Sequence, residues 1–106
     1  MVEQPAGGKL VRDGIPDLIR RSGEHPVVEV LSLARYREAL RDKLFEEVEE
    51  LRSADLEHLA EEIGDVVEVL RAIARVEGID WAKVESVRAE KREERGAFDQ
   101  RIWLSD

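Results

Sequence analysis

The sequence contains no cysteine and only two histidines, His25 and His58, in 106 residues. The lack of cysteine excludes disulfide scaffolds, iron–sulfur clusters and thiol catalysis. The histidines do not form the His-x-x-x-His pair of a zinc protease. No apolar run approaches the roughly 18 residues of a membrane-spanning helix, and residues 1–8 have no apolar signal-peptide core. We therefore expect a soluble cytoplasmic protein with no membrane partner.

The length and the apolar pattern predict one small helical domain. Residues 1–8 include Pro5, Gly7 and Gly8 and have little to pack, so we expect a flexible arm there and a single domain over 9–106. Apolar residues at helical spacing and capping residues predict four helices. These are expected over Ile15–Ser22, from the N-cap Ser32 to Arg52, over Leu56–Glu77 and over Trp81–Arg95.

Two short segments are predicted to be extended chain, one before the first long helix and one after the last helix. Val27–Val30 follows Pro26, and Phe98–Leu104 is partly apolar. The predicted fold class is thus all-α: an antiparallel helical hairpin and a third helix, flanked by short extended N- and C-terminal segments. Because a hairpin cannot bury both its apolar stripes alone, we expect a homodimer or higher homo-oligomer with a four-helix core. Phe45 lies off the core stripe and fits a subunit interface.

The negative charge of the chain is concentrated in one block. Residues 46–65 hold nine acidic residues and one basic residue, Arg52, which equals the whole net charge of −8. Phosphate repels such a surface, so we expect no nucleic-acid partner there. Divalent cations suit it better. The nine acids are Glu46, Glu47, Glu49, Glu50, Asp55, Glu57, Glu61, Glu62 and Asp65.

Helical geometry separates the acids that lean inward from those that face water. At about 100° per residue, Glu47 falls inside the apolar stripe of its helix, with Glu46 and Glu50 beside that stripe, and Glu49 on the solvent face. In the next helix, Glu62 and Asp65 flank Val69, whereas other acids face water. A short turn makes the two helices antiparallel neighbours, so the two sets of carboxylates can face each other.

Clustered carboxylates near an apolar stripe need compensation. Two like charges 4 Å apart repel by roughly 4 kcal/mol near a protein surface. Lys43 can offset one charge but not five, and a hard cation with oxygen ligands, such as Mg²⁺, fits the remaining carboxylates. The alternative is a solvated acidic face. The chain has no calcium-binding loop of the Asp-x-Asp-x-Asp-Gly type. A ferritin-like di-iron site needs two Glu-x-x-His pairs, and the nearest match here is Asp55-x-x-His58.

The acidic motifs resemble those of a known superfamily. The segments LFEEVEEL (44–51) and LAEEIGDVVEVL (59–70) carry E-E-x-x-E and E-x-x-D on consecutive helices. This pairing is similar to the all-α nucleoside triphosphate pyrophosphohydrolases, the MazG-like and phosphoribosyl-ATP pyrophosphohydrolase-like proteins. KLVRDGIPDLI (9–19) and EKREERGAF (90–98) resemble the flanks of a small subgroup of them, apart from Gly14 and Ala97, which depart from its pattern.

The resemblance implies a fold, a reaction and a set of ligands. It implies Mg²⁺-dependent hydrolysis between the α- and β-phosphates, which yields a nucleoside monophosphate and pyrophosphate, by a dimeric or larger helical protein. Mn²⁺ is expected to substitute for Mg²⁺. One glutamate, Glu47 or Glu50, is expected to accept the proton of the attacking water. By position the implied metal ligands are Glu46, Glu47, Glu50, Glu62 and Asp65.

A triphosphate brings about four negative charges to an acidic site, so bases must hold its phosphates. Lys91 and Arg95 lie on the apolar side of the last helix, and Lys9 and Arg12 belong to the opening motif. These four are the predicted substrate ligands.

Two alternatives stay open at this stage. One is phosphoribosyl-ATP hydrolysis in histidine synthesis, because base and sugar selectivity lie in pocket shape, which the motif does not encode. The other is a non-catalytic acidic helical module that docks a basic partner.

Overall fold

The apolar periodicity of the sequence does produce helices. A computed structural model describes residues 7–105, and within that range the chain is all-helical, without a strand. The predicted all-α class is therefore confirmed. The segments 27–30 and 98–104, read as extended, form no strand, and most of the predicted arm (1–6) lies outside the described residues. The helices are α1 (Ile15–Arg21), α2 (Leu33–Ser53), α3 (Leu59–Val76) and α4 (Trp81–Arg95).

Local capping explains most of the helix boundaries. The hydroxyl of Ser32 accepts a hydrogen bond from the backbone N–H of Arg35 at 3.3 Å, and a carboxylate oxygen of Asp80 accepts one from Ala82 at 3.3 Å. These contacts satisfy N–H groups that the first turn of a helix leaves without partners. Both helix starts agree with the prediction.

The start of α3 differs from its prediction by three residues. We expected the helix to begin at Leu56, but it begins at Leu59. Residues 56–58 form a turn before it. The Asp55 carboxylate caps this turn, since it accepts a hydrogen bond from the backbone N–H of His58 at 3.1 Å and contacts the His58 ring at 2.7 Å.

The chain separates into two compact units, Met1–Ile73 and Ala74–Asp106, here called the N-terminal and C-terminal units. The N-terminal unit holds α1, α2 and most of α3, and the C-terminal unit holds the end of α3, α4 and the tail. The single domain over 9–106 stays a prediction. The helices in residues 7–105 are all too short or too polar to cross a membrane.

The single chain has little core. The buried apolar residues are Ala39, Leu40 and Val69 in the N-terminal unit and Ala74 in the C-terminal unit, and no large side chain in residues 7–105 is fully buried. The apolar stripe predicted on α2 consists of Leu33, Tyr36, Leu40, Leu44, Val48 and Leu51. Of these only Leu40 is buried, and Leu33 and Val48 are exposed. The helical pattern was sound, but a pattern does not say whether the same chain supplies the surface that covers it.

Candidate metal centre

Three carboxylates meet between two helices of the N-terminal unit. Glu47 on α2 and Glu62 and Asp65 on α3 each place one oxygen so that all three oxygens lie within 4.8 Å of one another. Glu62 and Asp65 share a helix face because they are three positions apart. Glu47 is 7% exposed, and the other two are half-buried. The cluster is therefore covered on the α2 side and reachable from α3.

Two oxygens of this cluster have no hydrogen-bond donor. Glu47 Oε2 and Glu62 Oε2 are buried, and no group in residues 7–105 donates to either of them. A buried acceptor left without a partner costs about 1–3 kcal/mol, and more when it is charged. A bound ion is one explanation for a buried acceptor that has no partner within the protein. The two oxygens belong to two residues of the cluster, so a cation held by the cluster is a candidate partner for them.

Two bases offset part of the charge. Lys43 Nζ lies 3.4 Å from Glu46 Oε1 and 3.4 Å from Glu47 Oε1. Arg12 Nη2 donates a hydrogen bond to Asp65 Oδ1 at 2.6 Å. Neither base contacts the orphaned oxygens, so the compensation is incomplete.

The electrostatics at Glu47 agree with this geometry. Burial raises the pKa of the Glu47 carboxyl above its usual 4.5, and the neighbouring Glu50 carboxylate raises the pKa further. Lys43 opposes both effects. Loss of water dominates because an anion is poorly stabilised away from solvent. A cation at the cluster would relieve this penalty at Glu47.

The predicted ligands divide into three that meet and two beside them. Glu47, Glu62 and Asp65 converge, whereas Glu46 and Glu50 are exposed and do not belong to the cluster of three. Glu46 shares Lys43 with Glu47, and Glu50 acts on the Glu47 carboxyl. The helical wheel placed all three α2 acids near the stripe. Glu46 and Glu50 are exposed whereas Glu47 is buried, because only a narrow strip of α2 is covered in the single chain.

The residues present fit a hard divalent cation. The cluster offers only carboxylate oxygens, which Mg²⁺ and Mn²⁺ prefer, and two of its oxygens are buried without donors. Mg²⁺ keeps several waters and takes one or two carboxylates from a protein, so three converging carboxylates suffice. Glu62 and Asp65 are only half-buried, so solvent reaches the α3 carboxylates.

The predicted phosphate ligands belong to two different units. Lys9 is exposed, and Arg12 is bound to Asp65 at the cluster. Lys91 and Arg95 both lie in the C-terminal unit, where they line a pocket. Sequence reasoning missed the Arg12–Asp65 pair, which joins positions 53 residues apart. No local periodicity signals such a pair, because it depends on how the segment before α1 folds against α3.

Replacing Arg12 by alanine tests whether this side chain acts as an internal counter-ion. In the unliganded protein the pair is partly exposed, at 57% and 31% for the two side chains, so its loss should change the unfolding free energy by no more than about 1 kcal/mol. Mg²⁺ or Mn²⁺ should bind up to about fivefold more tightly to Arg12→Ala, because Asp65 is released and the site becomes more negative. Isothermal titration calorimetry measures both affinities.

Arg20→Ala is the matched control, because Arg20 also forms an exposed ion pair, with Asp17 at 2.8 Å, outside the cluster. Its cation affinity should equal that of the wild type. Unchanged or weaker cation binding by Arg12→Ala would show that Arg12 does not compete for Asp65.

Comparisons with known proteins give one partial relative and no family. No family model matches the chain, and no solved structure matches it. A protein of Mycolicibacterium smegmatis, described as uncharacterized, is 55% identical over 56 residues, which are 53% of this chain and 57% of that protein. The chain thus spans little more than half the length of this relative, whose description names no activity. The resemblance to the pyrophosphohydrolases stays a prediction.

Proposed function

We propose that this protein is a Mg²⁺-dependent nucleoside triphosphate pyrophosphohydrolase. It would cleave the α–β phosphoanhydride and release a nucleoside monophosphate and pyrophosphate. The observation that carries the proposal is the pair of buried oxygens without donors, on Glu47 and Glu62, in a cluster that Asp65 completes. The paired acidic motifs support it independently, through their resemblance to this superfamily. The proposal includes a cytoplasmic location, where Mg²⁺ and nucleotides meet.

The burial of each carboxylate suggests its role in the proposed site. Glu47, Glu62 and Asp65 would hold the cation, since their oxygens already converge, and Glu46 would add a carboxylate at the exposed edge. A bound Mg²⁺ supplies neutralisation of the phosphate charge and a water of lowered pKa. Glu50 is exposed and adjacent to Glu47, which suits it to meet a water at the mouth of the site.

In the proposed reaction Glu50 accepts the proton of the attacking water. The water oxygen forms a bond to phosphorus, the bridging α–β P–O bond breaks, and the bridging oxygen leaves with one of the two products. Arg12 lies at the cluster with its side chain more than half exposed, so it can hold a phosphate oxygen there. Lys9, three residues earlier and exposed, would support the same group.

The test is an assay of pyrophosphate release from a panel of nucleoside triphosphates and phosphoribosyl-ATP, with and without Mg²⁺. We expect Mg²⁺-dependent release, and we expect Glu50→Gln to lower kcat by about 10²–10⁴-fold, the usual contribution of a general base. The Glu50→Gln protein should still bind Mn²⁺. A preference for phosphoribosyl-ATP would assign the histidine pathway instead.

Glu49→Gln is the control for this assay, because Glu49 is an exposed acid on the same helix outside the cluster. It should retain wild-type turnover. Absence of hydrolysis on every substrate, together with absence of a Mg²⁺-induced thermal shift, would overturn the enzymatic proposal and leave an acidic docking module.

The proposal also includes a homodimer that completes the helical core. Ile63, Val67 and Leu70 follow one line along α3 and remain 48%, 36% and 37% exposed. Phe45 on α2 is 73% exposed. Exposed apolar side chains that follow one line of a helix are typical of a subunit interface. A second copy would bring the same stripe and pair the two sets of helices.

A further inference from the structure

Two short segments outside the helices have no backbone partner. They are the valine segment (residues 27–30, Val-Val-Glu-Val) and the tail segment (residues 102–104, Ile-Trp-Leu). Within residues 7–105, neither segment makes a backbone–backbone hydrogen bond. Both consist largely of β-branched and aromatic residues, which favour strands. A strand whose N–H and C=O groups are unpaired is a template for pairing with another chain.

The apolar side chains of both segments are open to solvent. Val30 is 96% exposed and Val27 is completely exposed. In the tail segment, Ile102, Trp103 and Leu104 are 79%, 88% and 91% exposed. The single chain therefore covers neither segment. Aromatic residues such as tryptophan are enriched where one protein binds another, so this composition is that of a contact surface.

The charges around the two segments are opposite. The stretch 24–30 carries two glutamates and neither lysine nor arginine, whereas 100–104 carries Arg101 and no acid. Glu29, in the valine segment, lies 3.8 Å from Arg35 Nη1, but its side chain remains 58% exposed. Opposite charges on facing strands are favourable and like charges are unfavourable, so a valine segment pairs better with a tail segment than with its own copy. A single arginine also gives the tail no basic cluster of the kind that binds anionic membranes.

We infer that the tail segment of one copy of this chain pairs as a β-strand with the valine segment of a second copy, and the reverse. Each chain carries both strands once, so two copies related by a two-fold axis pair all four segments and leave none open. Main-chain hydrogen bonds hold such a ribbon, and the side chains give it specificity. Pro26 fits the beginning of the valine strand, because proline is tolerated at the start of a strand.

The ribbons add to the proposed homodimer. Trp103 alone removes about 150–250 Å² from water when it is covered, and each copy contributes one such ring. A stable interface buries about 1,200–2,000 Å² in total, so the two ribbons supply part of it and the apolar line of α3 supplies the rest. The inference thus rests on the homodimer included in the proposed function, but on neither the cation nor the hydrolysis.

Chemical cross-linking of the full chain tests the pairing, since the chain has no cysteine and introduced thiols are unique. A Val28→Cys chain and an Ile102→Cys chain of different mass, one carrying a larger purification tag, are co-expressed and treated with a short bis-maleimide. We expect a product with the summed mass of the two chains. When both cysteines are in one chain, the product should have the mass of two chains. A cross-linked monomer would show that the chain pairs its own segments and would overturn the inference.

Leu56→Cys is the matched control, because Leu56 is 88% exposed in the turn before α3 and lies outside both segments. Together with Ile102→Cys it should give at least tenfold less cross-linked product than Val28→Cys does. Equal yields would show random collisions of exposed thiols and would refute the pairing.

Proline variants test the main-chain hydrogen bonds. In a two-stranded ribbon alternate N–H groups face the partner, so either Ile102→Pro or Trp103→Pro loses one of these bonds. At least one of the two should lower cross-linking between Val28→Cys and Leu104→Cys chains about tenfold. Circular dichroism should show unchanged helicity, because the tail segment follows α4. Full cross-linking in both variants would exclude a β-ribbon.

Light scattering on the same samples separates this inference from the proposed function. A wild type with the mass of two chains whose Val28→Cys and Ile102→Cys variants do not cross-link would refute the ribbon and leave the homodimer in place. Cross-linking that persists without any pyrophosphate release would support the ribbon while the enzymatic proposal fails.

Discussion

Glu47→Gln should remove both the response to divalent cations and the release of pyrophosphate, while it stabilises the metal-free protein. Glutamine keeps the size of the side chain but has no charge to bury. In EDTA the variant escapes the desolvation and the repulsion from Glu50 that raise the pKa of Glu47. With Mg²⁺ it lacks the buried anionic ligand that the site requires, so the order of stability reverses.

The expected effects are large. A cation at 100 times its dissociation constant stabilises the wild type by about 2.7 kcal/mol, which raises the Tm of a chain of this size by roughly 10 °C or more. Glu47→Gln should lose most of that shift, and its kcat should fall by at least about 10²-fold, because a metal ion contributes several kcal/mol of transition-state stabilisation. Thermal melts with and without Mg²⁺ and the pyrophosphate assay measure the two effects on the same samples.

Glu49→Gln again serves as the control, since it removes the same charge from an exposed position of α2. It should keep both the Mg²⁺ shift and the activity. A Glu47→Gln protein that still gains the full shift would remove Glu47 from the site and with it the basis of the metal centre.

The metal-free proteins should also differ in their dependence on pH. The folded-state pKa of Glu47 is raised, so between the usual value of 4.5 and the raised value the folded chain binds more protons than the unfolded chain. The contribution of this carboxyl to stability is therefore highest below about 4.5 and declines as pH rises through the raised pKa. Urea titrations in EDTA should show Glu47→Gln gaining on the wild type over that window.

Leu70→Asp should abolish the dimer and unfold most of the chain. Leu70 is 37% exposed in the single chain, and it shares its helix line with Ile63 and Val67. If a second copy covers this stripe, the aspartate becomes a buried unpaired charge that costs several kcal/mol. Small domains are stable by only about 5–15 kcal/mol, and this one has a minimal core of its own.

Size-exclusion chromatography with light scattering measures the mass, and circular dichroism measures the folded fraction. Leu70→Met, which keeps the apolar volume, should remain dimeric. The wild-type Tm should also rise with protein concentration, because dissociation and unfolding are then linked. A wild type that is monomeric at micromolar concentration, or a folded Leu70→Asp with unchanged Tm, would contradict the dimer.

Helix boundaries were predictable where a residue acts on its own neighbours. Ser32 and Asp80 cap the helices that follow them, and α4 ends at Arg95, as predicted, before Gly96. The predicted start of α3 was three residues too early, because residues 56–58, which Asp55 caps, form a turn before the regular helix. The segments 27–30 and 98–104 form no strand within the described residues, since a strand needs a partner strand.

At the candidate metal centre, too, some features follow from local spacing and others depend on tertiary contacts. Spacing alone placed Glu47, Glu62 and Asp65 on inward-leaning faces and Glu49 outside, because helical geometry is fixed by the backbone. It did not separate the three converging acids from Glu46 and Glu50, since that depends on which strip of α2 is covered. The pairing of Arg12 with Asp65 and the addition of Arg88 and Arg92 to the pocket of Lys91 and Arg95 also came only from the structure.

The sequence by itself therefore determined the helical class, most helix ends and the faces on which the acids lie, because these follow from interactions within about one turn of a helix. Only the tertiary structure decided which carboxylates converge, which oxygens are left without donors and where Arg12 is bound. Those features depend on the burial of side chains by segments distant in sequence, and burial sets the electrostatic cost that a cation would relieve.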